Sequence, residues 1–286
     1  MELGTAERNL YLSSFVGGGV AGFFVDMVLF PLDTLKTRLQ AEQGFKKAGG
    51  FKAIYRGVGP QAIGGAPQAA LFFVTYEGIK YYAEPAVPTS ALPAVYMFGA
   101  SIAEVMACLV RVPMEVVKQR RQTQLGNKSS LRIALSAYKY EGIRKGLYRG
   151  FGSTITREVP FSVIQFPILE YLKSNYRKRF KNNIPLESWE VAICGSIAGG
   201  FSAAVTTPLD VAKTRIMLAD RKLVRSGEIT VRNTLKNIYR KEGIKGVFAG
   251  LLPRTLWITL GGYIFFGSYD FSKNFFNDYV LEAKYI

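Results

Sequence analysis

Residues 31–38 read Pro-Leu-Asp-Thr-Leu-Lys-Thr-Arg, and two later stretches of the chain repeat the same pattern. Residues 113–120 read Pro-Met-Glu-Val-Val-Lys-Gln-Arg, and residues 208–215 read Pro-Leu-Asp-Val-Ala-Lys-Thr-Arg. In each copy an acid follows the proline by two residues and a lysine follows the acid by three, where an apolar run ends. Internal repeats decide the architecture of a chain. The predicted units are residues 1–90, 91–185 and 186–286.

The composition narrows the class of protein. The 286 residues include 37 lysines and arginines against 21 acids, which gives a formal net charge of +16. This excess fits either a nucleic-acid-binding protein or a basic face on an anionic membrane. The chain has no histidine and two cysteines, which excludes a zinc site and a histidine-based catalytic triad. Cys108 and Cys194 lie in apolar runs and are expected to be small core residues. No metal or cofactor is expected.

Long apolar stretches recur twice in each unit, and the first, at about 23 residues, is long enough to cross a bilayer. The six predicted spans are residues 10–32, 61–82, 94–112, 152–172, 191–207 and 252–269. Gly18 and Gly22 in the first span have the spacing that lets membrane helices pack closely. A phosphate loop is the alternative, but the run lacks the preceding strand and the Gly-Lys-Ser/Thr ending. Short helices are predicted at residues 51–56, 131–140 and 231–240.

These features together resemble the mitochondrial carrier family. The repeated stretch that begins at Pro31 resembles the first signature of that family, Pro-x-acid-x-x-basic. The second signature, aromatic-acid-x-x-basic, is matched at residues 76–80 and 269–273, while Leu169 replaces the aromatic residue in the middle copy. A third motif, acid-Gly followed after four residues by aromatic-basic-Gly, is imperfect. Gly49 replaces its acid in the first unit and Ala249 its basic residue in the third.

The resemblance implies an all-α membrane protein with six transmembrane helices, arranged in three tandem two-helix repeats around a central cavity. Short matrix surface helices would complete one integrated transmembrane domain. The expected location is the mitochondrial inner membrane, with both termini toward the intermembrane space and the protein acting as a monomer. The family moves solutes by alternating access and is not enzymatic. Cardiolipin phosphates would bind at helix N-termini, here at Arg56, Gly57, Gly150 and Gly250.

The two charged signatures predict a closure at each end of the transport path. Acid–lysine pairs between neighbouring helices, braced by two glutamines, would form a matrix gate: Asp33, Lys36, Glu115, Lys118, Asp210, Lys213, Gln40 and Gln122. The second signature would form a cytoplasmic gate: Glu77, Lys80, Glu170, Lys173, Asp270 and Lys273. Each partly solvated pair contributes at most about 1 kcal/mol, so substrate binding can open the closure. The alternative, solubilising charges at helix ends, does not explain a threefold register.

Five further charges inside the predicted spans are candidates for the cavity: Asp26, Glu104, Arg111, Arg157 and Glu158. An ionisable group in a spanning helix is costly, so it faces a water-filled path or a partner. Asp26 lies seven residues before Asp33, on the same face of its helix. Glu104 and Arg111 precede Glu115 by eleven and four residues, which again gives a shared face. The family resemblance places the remaining two charges, on the fourth helix, in the same cavity.

Within the family, the closer resemblance is to carriers of S-adenosylmethionine, and the string Arg-Glu-Val-Pro-Phe-Ser at residues 157–162 is its most informative part. This solute has a sulfonium, an ammonium and a carboxylate. Arg157 would take the carboxylate through a bidentate contact and Glu158 the ammonium, while Asp26 and Glu104 would offset the sulfonium. Three acids and two bases give the five cavity charges a net charge of −1, which suits a cation. The alternative is that Arg157 and Glu158 form an internal structural ion pair.

Gly64 and Gly65 on the second predicted helix leave room for a flat adenine, although simple helix packing would also explain them. The resemblance implies exchange for S-adenosylhomocysteine, which shares the amino-acid and adenosine parts of S-adenosylmethionine. Three other functions stay open: a carrier of another amino acid or nucleotide-like solute, a membrane-bound enzyme, and a basic helical protein that binds nucleic acid. No nucleophile–base pair or metal-ligand set supports the enzyme, and no nucleic-acid partner is expected.

Overall fold

The computed structural model describes residues 24–88, 91–124, 128–180, 184, 186–219, 229–261 and 264. Within these ranges the chain folds into helices and turns, and no strand is present, so the predicted helical class is confirmed there. The α-helices of the described residues are α1 (24–40), α2 (Val58–Ala83), α3 (Leu92–Thr123), α4 (Ser130–Gly142), α5 (Phe151–Phe180), α6 (Ser188–Val205), α7 (Thr207–Leu218), α8 (Val231–Val247) and α9 (251–261).

Membrane-spanning capacity, judged by length and composition, is found in one helix of the described residues, at Val95–Thr123. Trp189–Val205 and Thr207–Leu218 also meet the requirement when taken together, but the two segments are bent by 64° at their junction. The other predicted spans do not meet it within the residues that the structure describes. The glycine pair Gly18 and Gly22 lies outside the described residues.

The three signature prolines act differently on their helices. Proline removes a backbone donor and usually kinks or ends a helix. However, α1 continues through Pro31 and α3 through Pro113 without losing helical structure. At Pro208 the helix does break, because Thr206 leaves the helical conformation and the proline stands in the first turn of α7. This is a favoured position, since the missing N–H has no helical partner there anyway.

The short helices predicted in the second and third repeats are present as α4 and α8. Ser129 caps α4 by accepting a hydrogen bond from the Arg132 N–H at 3.3 Å, and Thr230 caps α8 by accepting from the Asn233 N–H at 3.2 Å. Such caps satisfy N–H groups that have no partner within the helix.

The short helix predicted at residues 51–56 was wrong, because residues 45–57 form consecutive turns instead. Gly49 and Gly50 have φ angles of 117° and 52°, and Ala53 has a φ of 47°. A right-handed helix needs negative φ throughout, so these residues stop it from forming. The backbone is instead held by short-range hydrogen bonds, such as the one from the Arg56 N–H to the Ala53 carbonyl at 3.1 Å.

The described residues divide into two compact units that do not follow the repeats. The first unit contains the described residues of Met1–Asp33, Val163–Ala204 and Leu252–Ile286, and the second contains those of Thr34–Ser162 and Val205–Leu251. In the first unit α6 approaches α9 closely, since a methyl group on Gly199 would come within 2.9 Å of Ile258.

The core of the second unit lies between α3 and α7. It consists of the fully buried Cys108, Val112, Val116 and Met217, with Phe151 of α5 packed against them. Both cysteines of the chain are unbonded and buried, as their apolar surroundings predicted. This core packs α3 against α7, and the charged side chains of the two helices meet beside it.

Candidate functional site

The three copies of the Pro-x-acid-x-x-Lys signature bring charged residues of α1, α3 and α7 together in the second compact unit. Lys36 Nζ on α1 lies 2.8 Å from Asp210 Oδ2 on α7. Lys213 Nζ on α7 lies 2.7 Å from Glu115 Oε2 on α3. Both pairs connect different helices, and Asp210 and Lys213 are almost completely buried. We call these two ion pairs the matrix network.

Gln40 and Gln122 were predicted to brace the matrix gate, and Gln40 contacts the matrix network directly. Gln40 donates its amide N–H to Asp210 Oδ2 at 2.8 Å and accepts a hydrogen bond from the Thr214 hydroxyl at 2.6 Å. Gln122 donates to the Thr34 hydroxyl at 3.2 Å. The corresponding third position is Met217, which packs in the core instead. The Lys213–Glu115 pair is instead accompanied by Gln119 of α3, which donates to Glu115 Oε1 at 3.0 Å.

The remaining matrix charges are Asp33 and Lys118. Lys118 donates to Gln61 Oε1 on α2 at 3.0 Å, a partner that the signature did not predict. Asp33 is half-buried, has a polar interaction of its own and belongs to the first unit. A third ion pair between these two residues stays a prediction.

The last residue of each signature is an arginine, and sequence reasoning assigned it no role. Arg120 makes a two-pronged contact with Glu141 on α4, at 3.0 and 2.8 Å. Arg215 makes the equivalent contact with Glu242 on α8, at 2.6 and 2.7 Å. Both acids belong to the acid-Gly motif. Because the signature arginine and the acid-Gly motif occur together in the second and third repeats, the sequence could have indicated these ion pairs. Bidentate contacts of this kind are strong and directional.

The first repeat makes this link without an acid. Arg38 is almost fully buried, and it donates to the carbonyls of Gln122 at 2.9 Å and of Gly50 and Lys52 at 2.7 Å. A methyl group on Gly49 would come within 2.9 Å of Arg38 Cζ. The missing side chain at position 49 therefore leaves the space that the guanidinium occupies, and backbone carbonyls replace the carboxylate.

Four of the five predicted cavity charges form one cluster in the second unit. Arg111 Nη1 on α3 lies 2.6 Å from Glu104 Oε1 and 2.9 Å from Glu158 Oε1. Arg157 also contacts Glu158 directly. Arg157 Nε lies 3.9 Å from Asp210 Oδ1, which connects these four residues to the matrix network. We call Glu104, Arg111, Arg157 and Glu158 the charge cluster.

The other predicted substrate-binding residues lie in three environments. Asp26 is half-buried on α1, within the first unit, and has a polar partner. Gly64 is buried against α3, where an added methyl group would come within 2.8 Å of Met114 Cγ. Gly65 faces open space, with no heavy atom within 4 Å of such a methyl group. Any room for a ligand at this point of α2 is therefore at Gly65.

The second charged signature makes contacts within single helices. Lys80 Nζ lies 3.8 Å from Glu77 on α2, and Lys173 Nζ lies 2.8 Å from Glu170 on α5. Both acids are largely exposed, at 62% and 68% of their side-chain area. The prediction had paired these residues between neighbouring helices. Asp270 and Lys273 lie outside the described residues.

The predicted lipid-binding glycines share one backbone conformation. Gly57, Gly150 and Gly250 directly precede α2, α5 and α9 and have φ angles of 93°, 82° and 74°. A side chain at Gly57 would collide with the Lys118 carbonyl at 2.9 Å. Arg56 and Gly57 also line a surface pocket together with Arg121. Glycine is needed at these turns because other residues rarely adopt positive φ.

The chain is similar to one protein family over its three repeats and to individual members of it over most of its length. A model described as "Mitochondrial carrier protein" matches residues 7–85, 90–180 and 185–280. The chain is 54% identical over 261 residues to the "S-adenosylmethionine mitochondrial carrier protein homolog" of Drosophila melanogaster, covering 91% of each chain. It is 51% identical to the "Mitochondrial S-adenosylmethionine carrier protein" of Danio rerio and 50% to that of Mus musculus, with 92% of this chain covered in both and 97% and 94% of the relatives.

Proposed function

The chain belongs to the mitochondrial carrier protein family, and from that premise we propose that it carries S-adenosylmethionine into the mitochondrial matrix in exchange for S-adenosylhomocysteine. The predictions of three tandem repeats and of a carrier are confirmed by the family match. The observation that carries the proposal is the charge cluster, which combines two carboxylates and two guanidiniums on α3 and α5. The names of the relatives support the substrate.

The charge cluster suits a solute with both charge signs. Arg157 would bind the substrate carboxylate through two parallel hydrogen bonds, and Glu158 beside it would bind the ammonium. Glu104 would offset the sulfonium. S-adenosylhomocysteine has the same amino-acid part but an uncharged sulfur, so it would use the first two contacts and not the third. One site can therefore serve both directions of an exchange.

The two sets of signature charges support alternating access. The matrix network joins different helices, at 2.8 and 2.7 Å, whereas the described charges of the second signature pair within one helix. We propose that the matrix network is the closure at the matrix end of the transport path. Substrate contacts at Arg157 would compete with its contact to Asp210, and this competition would loosen the matrix network.

The six-helix transmembrane arrangement is part of the proposal. Helices α2 and α5 have 26 and 30 residues, which corresponds to about 40 Å or more at 1.5 Å per residue, enough to cross a bilayer. Phe73 and Val74 on α2 and Val163 and Phe166 on α5 are exposed, as expected of side chains that face lipid. Both termini would lie in the intermembrane space, and the monomer would bind cardiolipin at Gly57, Gly150 and Gly250.

Uptake of radiolabelled S-adenosylmethionine into liposomes containing the purified protein tests the proposal. Liposomes loaded with S-adenosylhomocysteine should take up label faster than empty ones. Arg157→Ala and Glu158→Ala should each reduce uptake at least about tenfold, since a lost charge-assisted hydrogen bond costs about 1.5–3 kcal/mol. Lys241→Gln, which breaks only an exposed pair with Glu42, should retain it.

A substrate panel in the same liposomes separates this function from its neighbours. Preference for another amino acid or a nucleotide-like solute would assign the site to that solute and refute the S-adenosylmethionine proposal. Unchanged uptake in both charge-cluster variants would refute the assignment of the site while leaving the substrate in place.

A further inference from the structure

We propose that Gln68 is a positioning residue for substrate recognition and acts through Arg111. In this arrangement Gln68 fixes Arg111, Arg111 holds the two carboxylates that receive the cationic groups, and Arg157 is the arginine available to the substrate carboxylate. This inference rests on the proposed function, because it divides the charge cluster of that site into a fixed part and a binding part.

The side-chain amide of Gln68 on α2 faces the guanidinium of Arg111. A guanidinium only donates hydrogen bonds, so the amide oxygen must be the atom on that side. In this orientation the oxygen accepts from Arg111 Nη2 at 2.8 Å and from Nε at 3.0 Å. Gln68 is half-buried and had no predicted role in the sequence.

The hydrogen-bond donors of Arg111 are thereby divided between three helices. Nη1 serves Glu104 on α3 itself and Glu158 on α5, at 2.6 and 2.9 Å. Nη2 and Nε serve Gln68 on α2. Because the guanidinium is planar and rigid, the Gln68 contact fixes the direction in which Nη1 points. Arg111 is held in place and is poorly suited to capture a substrate group.

Arg157 differs from Arg111 in its use of donors. Its Nε is buried and has no hydrogen-bond partner among the described residues, and the nearest carboxylate oxygen, on Asp210, is 3.9 Å away. A buried donor without a partner is costly to the protein. A substrate carboxylate would satisfy it, which explains why the two neighbouring arginines are not equivalent.

The restraint on Arg111 matters because its guanidinium and the cationic groups of the substrate compete for the same carboxylates. Without Gln68, the Nε and Nη2 groups would lose their acceptor and the guanidinium would turn them toward Glu104 and Glu158. The substrate ammonium and sulfonium would then compete with a more strongly bound arginine. S-adenosylmethionine would lose more affinity than S-adenosylhomocysteine, since only the former has the sulfonium.

The test measures the KM of both solutes for the full-length protein in liposomes. Gln68→Leu should raise the KM for S-adenosylmethionine about three- to tenfold, because the two lost hydrogen bonds to Arg111 act on the substrate only indirectly. The KM for S-adenosylhomocysteine should rise less, so the ratio of the two constants changes. Gln61→Leu, about two turns earlier on α2, removes the hydrogen bond to Lys118 and should affect both solutes equally.

A double-mutant cycle shows whether Gln68 acts through Arg111. In an Arg111→Lys background, Gln68→Leu should change the KM ratio no further, because lysine cannot maintain the bidentate contact. Gln68→Asn, with a shorter side chain, should shift the ratio in the same direction if the leucine variant does not fold. An unchanged ratio in a folded Gln68 variant, or additive effects in the cycle, would overturn the inference. Failure of the wild-type protein to transport S-adenosylmethionine would instead refute the proposed function.

Discussion

At the scale of single residues, the three repeats carry the same motif, but residues at equivalent positions make different contacts. Gln40 supports one ion pair of the matrix network through Asp210 and also binds Thr214, whereas Met217 occupies the equivalent place in the third repeat and packs in the core. A repeat motif therefore specifies positions, while the surroundings of each position decide which side chain fits.

Gln40→Leu should destabilise the protein by about 1–3 kcal/mol, because it leaves the buried Asp210 and Thr214 without one hydrogen-bond partner. The expected result is a lower midpoint of thermal unfolding in detergent. Gln43→Leu is a suitable control, since Gln43 donates to the Thr123 carbonyl from an exposed position. Equal unfolding midpoints for the two variants would contradict the role given to Gln40.

Gly49→Glu restores the acid of the third motif but should destabilise the protein. Position 49 has a φ of 117°, which L-residues rarely adopt, and an added Cβ would come within 2.9 Å of Arg38 Cζ. The variant should unfold at a lower temperature than wild type, as should Gly49→Ala, which adds only the methyl group. If the glutamate variant were more stable than both the alanine variant and wild type, an ion pair between the introduced carboxylate and Arg38 would have to outweigh the strain.

At the scale of helices, the arginines at the ends of α3 and α7 link each of these helices to the helix that follows it. Arg120 binds Glu141 on α4 and Arg215 binds Glu242 on α8. In the first repeat, Arg38 binds backbone carbonyls instead. Two of these links therefore depend on a group that can be protonated, and the first does not.

The link between α7 and α8 should depend on pH. Hydrogen bonds from Arg215 hold the pKa of Glu242 below its ordinary value of 4.5. A carboxyl whose pKa is lower in the folded state stabilises the fold above its unfolded pKa, and this stability is lost as the pH falls through the folded pKa. The midpoint of thermal unfolding, measured from pH 7 down to pH 3, should therefore fall less steeply in Glu242→Gln than in wild type. Lys236→Gln, at an exposed position on the same helix, should retain the wild-type slope, and identical slopes in all three proteins would contradict the prediction.

At the scale of the whole molecule, the proposed carrier cycle would depend on ion pairs that can be broken and re-formed. The buried Lys213–Glu115 pair links α7 to α3 at 2.7 Å. Removing one partner of a buried pair leaves an unpaired charge and costs about 3–5 kcal/mol. The structure thus predicts strong coupling between these two positions, 98 residues apart in sequence.

Exchanging the two charges tests this coupling. Lys213→Glu and Glu115→Lys should each abolish uptake of S-adenosylmethionine by liposomes, because each places two like charges together. The double variant restores opposite charges and should recover part of the uptake. Loss of transport in the double variant as complete as in both single variants would show that the pair is not a reversible closure.

The sequence by itself determined the class and the repeats of this protein. The threefold Pro-x-acid-x-x-Lys motif and the apolar runs predicted helices in three units, because both depend on local spacing along the chain. Helical periodicity also put Glu104 and Arg111 on one face of α3, where they contact each other at 2.6 Å. The turns at residues 45–57 were missed because the positive φ angles at Gly49, Gly50 and Ala53 interrupt a helix that the local residue pattern does not exclude.

Only the tertiary structure decided which charges meet across helices. Periodicity gives the face on which a side chain lies but not the rotation and depth of the helix opposite. Arg111 reaches Glu158 and Gln68 on two other helices, and Arg157 approaches Asp210 on a third. These partners are set by the packing of α2, α3, α5 and α7, which spacing along one helix cannot encode. The physical reason is that a helix repeats its own geometry, whereas a binding site is formed by several helices at once.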